Sequence, residues 1–89
     1  MKSKFDTIID DIHQEYCRAC KIHPIWPENI VEALAIISEE SGEAVKAGNN
    51  YHHNEGGTFE EIEMEVIHTL STCIRFLINK ERYKKNDSN

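Results

Sequence analysis

Four residues of this 89-residue chain have types and spacing suited to chemistry: Glu40, Glu43, Glu65 and His68. The first two stand in E-S-G-E and the last two in E-V-I-H. Each pair has i, i+3 spacing, so its members share one face of a helix. Three carboxylates and an imidazole in one volume form a donor set for a divalent cation. Hard cations such as Mg²⁺ take carboxylate oxygens together with substrate phosphates. Glu40 carries most of the weight. On a helical wheel Ile30, Ala33, Leu34, Ile37, Ser41, Ala44 and Val45 gather on one side, Ile36 and Ala47 widen the arc, and Glu40 falls inside it. A lone ionised carboxylate is costly to bury, so it is usually paired, protonated or metal-bound. The competing view is a solvated stripe with surface ion pairs, because E-x-x-E is common on helices.

Positioning these groups requires helices over about 3–22, 28–47 and 58–84. The expected fold is all-α, a single domain built as an antiparallel bundle of three main helices and completed by oligomerisation. In the first helix Phe5, Ile8, Ile9, Ile12, Tyr16, Ala19 and Cys20 recur at helical spacing, with Asp10, Asp11 and Glu15 facing away. Two prolines in H-P-I-W-P force a connection. Gly48 followed by Asn49-Asn50 reads as the stop of the second helix. Gly42, inside it, permits a close approach of backbone or ligand. Thr58-Phe59-Glu60-Glu61 is a capping box that starts the third, which runs past Tyr83 before K-N-D-S-N frays. Its apolar set, Phe59, Ile62, Val66, Ile67, Leu70, Cys73, Ile74, Phe76, Leu77 and Ile78, covers half the wheel, too wide for one neighbour. A polar strip of Glu61, Glu65, His68, Thr72 and Asn79 runs beside it, and Glu63 points into the apolar arc. Counted from the loop between Gly48 and Thr58, Glu40 and Glu43 lie level with Glu65 and His68, at about 1.5 Å rise per residue.

Other residues carry weaker signals. Trp26 is either a plug over the bundle end or a stacking surface for a nucleobase. Tyr51 is a second candidate for stacking. Lys46 and Arg75 are candidates for phosphate oxygens, although Lys46 projects to the polar side of its helix. Cys17 and Cys20 form C-x-x-C, with His23 three residues on, but half of a zinc site is missing and free thiols on an ordinary helix suffice. His52 and His53 are adjacent and suit solvent better than one shared ion.

The formal net charge of -6 argues against a duplex nucleic-acid binder, whose affinity comes from cations on phosphate. Lys80, Arg82, Lys84 and Lys85 read as a solvated helix end. No apolar run reaches the length of a membrane span. Three cysteines make no disulfide framework, and with no secretory signal at the start the expected location is cytoplasmic.

E-A-L-A-I-I-S-E-E-S-G-E-A followed by F-E-E-I-E-M-E-V-I-H-T-L resembles the MazG-like, all-α nucleoside triphosphate pyrophosphohydrolases. Their signature is E-x-x-E, a gap, then E-x-x-D. Glu40-Ser41-Gly42-Glu43 matches the first half. Glu65-Val66-Ile67-His68 matches the second, except that His68 stands in place of the aspartate. The W-P before the second helix also resembles the family lead-in. The likeness spans about Ile25 to Leu77.

The resemblance implies a homodimer or homotetramer that holds Mg²⁺ between helices and hydrolyses a nucleoside triphosphate to the monophosphate and pyrophosphate. It makes Glu40, Glu43, Glu65 and the position of His68 metal ligands, with Glu39 supporting the site and Glu39 or Glu43 accepting a proton from the attacking water. Imidazole suits Mn²⁺, iron or Zn²⁺ better than Mg²⁺, so Mn²⁺ is the alternative metal. Two rival functions follow from His68. One is a nucleotide-binding homologue that has lost turnover. The other is a carboxylate-bridged di-metal protein, because Glu-x-x-His is also the half-motif of di-iron bundles. A helical module with a purely structural role is a further alternative.

Overall fold

Each main helix starts at a side-chain cap. The Ser3 hydroxyl accepts from the Asp6 N–H while the Asp6 carboxylate accepts from the Ser3 N–H, opening α1 (Lys4–Ile22). Asn29 accepts from the N–H groups of Val31 and Glu32 and opens α2 (Ile30–His52). Thr58 accepts from the Glu61 N–H at 3.2 Å and opens α3 (Phe59–Ile78). A 3-10 turn, Lys80–Tyr83, follows. These elements belong to a computed structural model that describes residues 1–85. The end of the K-N-D-S-N tail, expected to fray, lies outside the described residues. Among the described residues there is no strand.

Helix α2 does not stop at Gly48. It continues through Asn49, Asn50 and Tyr51 to His52. Gly48 keeps an ordinary helical conformation, and the left-handed positions that reverse the chain are Asn54 (φ 55°) and Gly56 (φ 86°). The loop then folds back along the helix end. At Gly57 a Cβ would lie 2.7 Å from the Tyr51 nitrogen and 2.9 Å from the Asn50 Cβ. Helix α3 therefore sets off roughly level with Asn50. That fold-back restores the register that a longer α2 would have lost.

Helix α3 ends earlier than the periodicity suggests. The Asn79 side chain donates to the Arg75 carbonyl, and its backbone N–H reaches Arg75 and Phe76. The chain turns there, so that Arg82 donates to the Trp26 carbonyl and the Tyr83 hydroxyl to that of Pro27, at 3.0 and 2.6 Å. Tyr83 stacks on Phe76. The last turn thus fastens the 23–29 connection onto α3.

α3 packs against both α1 and α2, with the larger contact to α2. Its apolar arc is split: Ile62, Ile67, Cys73 and Phe76 are half-buried on one side of it. Ser71 and Arg75 are buried, and Glu65, His68 and Thr72 are half-buried. Val66, Leu70, Ile74, Leu77 and Ile78 are exposed. Glu63 is exposed as well, on the outward side of the arc. Helix α2 is rotated in the same sense: Ala33 and Ala47 are buried and Ile36, Glu40 and Ala44 half-buried, while Ile30, Leu34 and Val45 are exposed. Small residues at the contact let the two helices approach closely. The chain spans 56 × 35 × 25 Å with a radius of gyration of 15.6 Å, against about 12 Å for a compact domain of this length.

Candidate metal centre

Glu65 and His68 sit one turn apart on the inner face of α3. The His68 Nδ1 lies 2.9 Å from the Glu65 Oε1. With α3 starting level with Asn50, His68 comes level with Glu40 on the antiparallel α2. The Glu40 Oε2 is 3.9 Å from the same Nδ1. One donor atom from each of Glu40, Glu65 and His68 lies within 4.8 Å of the others. That spacing and that donor set suit a single divalent cation. The three side chains are between 20% and 32% exposed, so an ion held there would be partly shielded yet reachable.

A fourth group arrives from α1. The Glu15 Oε2 is 3.5 Å from the His68 Nε2, on the opposite edge of the ring. Arg18 grips the Glu15 carboxylate with two bonds, Nε to Oε1 at 2.8 Å and Nη2 to Oε2 at 2.6 Å. Glu15 was expected to face away from the bundle, and the structure corrects that: its side chain is only 14% exposed. Its spacing from Ile8, Ile12 and Ala19 is itself helical, so the sequence held a signal for it. Arg18, three residues on, has the spacing of a helical ion pair with Glu15, while the meeting of that pair with His68 depends on where α1 meets α3.

Burial raises the Glu40 carboxyl above its ordinary pKa, and His68 offsets part of this while Glu65, Glu43 and Glu15 add to it. The Arg18 bond holds Glu15 below the ordinary carboxylate range. The centre is therefore rich in negative charge. Glu43 is exposed and contributes to that field, but the three-donor cluster is made by Glu40, Glu65 and His68.

Neither protein-family models nor curated proteins nor solved structures give a match to this chain.

A cleft of about 630 Å³ lies beside the centre, lined among others by Trp26, Glu39, Glu40, His68, Thr72 and Arg75. Its size is that of a small-molecule site. Trp26 is buried in its wall, and the indole Nε1 has no hydrogen-bond partner. The Arg75 guanidinium lies 5.0 Å from the centre of the Trp26 ring and donates to the His23 carbonyl at 2.6 Å. Trp26 thus acts as the plug of the bundle end, and Arg75 is engaged by the fold. Glu39 is exposed at the cleft rim. Lys46 is exposed and lines neither this cleft nor the groove below. Tyr51 meets Phe59 edge-on at 5.7 Å, about 16 Å along α2 from Glu40. A Cβ at Gly42 would meet nothing within 4 Å, so no close approach explains that glycine.

A second groove of about 740 Å³ runs between α1 and α3, over Ile8, Phe59, Ile62, Val66 and Leu70. It meets the first at Glu15, Arg18 and His68.

Proposed function

We propose that this protein is a metal-dependent nucleoside triphosphate pyrophosphohydrolase of the MazG-like type. The observation that carries this reading is the convergence of Glu40, Glu65 and His68 from two antiparallel helices, with their donor atoms within 4.8 Å. The resemblance around E-S-G-E and E-V-I-H, with His68 in place of the aspartate, supports the same assignment.

Glu40, Glu65 and His68 would hold the cation, Mg²⁺ or Mn²⁺. A bound divalent ion supplies neutralising charge for phosphate oxygens and favours ionisation of water. Without such charge this cluster would repel a polyphosphate. Glu43 and Glu39, both exposed beside Glu40, are the groups available to accept a proton from water. The α1 cation Arg18 lines both cleft and groove while it grips Glu15.

The working unit we propose is a homodimer or a larger homo-oligomer. The chain exposes 6946 Å², while a compact monomer of its mass exposes about 5,400 Å². The excess, about 1,500 Å², is of the order that one protomer buries in an obligate dimer. The exposed apolar stripe of α3 is the surface for it. Among the described residues no helix is long and apolar enough to cross a membrane. The three free thiols suit a reducing compartment such as the cytoplasm.

The test is pyrophosphate release from a panel of nucleoside triphosphates with Mg²⁺ and with Mn²⁺. Activity lost in Glu40→Gln and Glu65→Gln is the expected result. No pyrophosphate with any pairing overturns the catalytic reading. Nucleotide binding without turnover would then mark a binding homologue, and two irons per dimer a di-metal protein.

A further inference from the structure

His68 presents its two ring nitrogens to different partners. Nδ1 faces α2 and its own turn, 3.9 Å from Glu40 and 2.9 Å from Glu65. Nε2 faces α1, 3.5 Å from Glu15. A cation held among Glu40, Glu65 and His68 can take only Nδ1, and must find it without a proton. A neutral imidazole carries one proton, which then belongs on Nε2. Glu15 is the carboxylate facing that nitrogen. It is itself fixed in position and orientation by the two bonds from Arg18.

We propose that Glu15 is a positioning residue for the metal centre: it accepts the Nε2–H of His68 and so keeps the Nδ1 lone pair turned toward Glu40 and Glu65. The inference rests on the metal-centre reading above. Carboxylate, imidazole and metal in line form an arrangement that fixes both the tautomer and the angle of the ring. The two bonds from Arg18 set the plane of the Glu15 carboxylate beside Nε2. The arrangement accounts for an imidazole at position 68. A histidine there works as a ligand because a carboxylate from α1 stands behind it. Two carboxylates and a nitrogen then favour Mn²⁺ over Mg²⁺.

The experiment uses the full chain labelled with ¹⁵N-histidine and loaded with Zn²⁺ as a diamagnetic probe, His68 being assigned by comparison with His68→Gln. Long-range proton–nitrogen correlation identifies the protonated ring nitrogen. The expected pattern is Nε2 protonated and Nδ1 bound to metal. In Glu15→Ala, checked for helicity, Mn²⁺ affinity falls about 10- to 100-fold and the Nε2–H signal is lost. In Glu15→Gln the amide oxygen still accepts, so the tautomer persists and affinity falls by less than about tenfold. Metal bound through Nε2, or Glu15→Ala binding Mn²⁺ as the wild type does, overturns the inference and leaves the metal centre standing. Wild-type protein that takes up neither ion overturns both.

Discussion

Across the contact of α2 with α3, the Glu40 Oε2 stands 3.9 Å from the Nδ1 of His68. The approach draws a carboxylate into a half-buried, acidic neighbourhood, and that has a consequence for stability.

Glu40 binds its proton more tightly in the folded chain than at its ordinary pKa of 4.5, first because of burial. The folded state thus holds more protons than the unfolded one just above pH 4.5, and stability falls as pH rises through the raised value. In metal-free buffer Glu40→Gln should therefore melt higher than wild type at pH 7, with the gap closing as pH falls toward 4. Glu15 behaves in the opposite way. Its carboxyl is held low by Arg18, so its contribution is present above pH 4.5 and disappears as pH falls through the depressed value. Glu15→Gln should melt lower than wild type at pH 7, with the gap closing in acid. Thermal melts at both pH values decide the matter, and a Glu40→Gln variant less stable at pH 7 would contradict the argument.

Arg75 is buried with its charge spent on one carbonyl and one aromatic face. Charge-assisted hydrogen bonds and cation–π contacts in a shielded place together contribute about 2–4 kcal/mol. Arg75→Ala should lose that much in urea unfolding. Arg75→Lys should recover less than half, because an ammonium cannot both lie flat on Trp26 and reach the His23 carbonyl. Trp26 is the sole tryptophan, so its emission should shift to the red in both variants.

Much of this arrangement was legible in the sequence, and the failures have physical causes. The cap at Thr58 is local, and local chemistry is what spacing reads well. Glu40 was legible because its neighbours at helical spacing are apolar. Glu15 was assigned to solvent because α1 was read without α3, and its partner His68 lies 53 residues away. Gly48 and Gly56 look alike as stop signals, and only the folded backbone shows which one takes a positive φ. The apolar arc of α3 was expected partly inward. One side of it, Ile62, Ile67, Cys73 and Phe76, is half-buried beside the polar residues Glu65, His68 and Thr72, and the other side is left outside.

That outward arc predicts association. Leu70, Ile74 and Leu77 form a stripe down α3, with Leu77 56% exposed. Sedimentation equilibrium at micromolar concentration should give a dimer or larger species for the wild type. Leu70→Glu with Leu77→Glu should give monomer and retain most of the helical signal at low temperature. A wild-type monomer at these concentrations would remove the second copy from the proposal.

The glycines test how the register of the site is set. A Cβ at Gly57 would press on the backbone nitrogen of Tyr51 at 2.7 Å, and a backbone atom cannot step aside as the tip of a side chain can. Gly57→Ala should cost about 1–3 kcal/mol. It should also weaken metal binding, since pushing the start of α3 away from Asn50 slides Glu65 and His68 past Glu40. Gly42 and Gly48 are helical, and a Cβ at either meets nothing within 4 Å. Alanine there should stabilise the chain by about 0.5–1 kcal/mol through helix propensity and a less flexible unfolded state. Chemical denaturation of the three variants, paired with Mn²⁺ titration, separates the two effects. Equal metal affinity in Gly57→Ala and Gly48→Ala would show that the fold-back of the loop does not set the spacing of the donors.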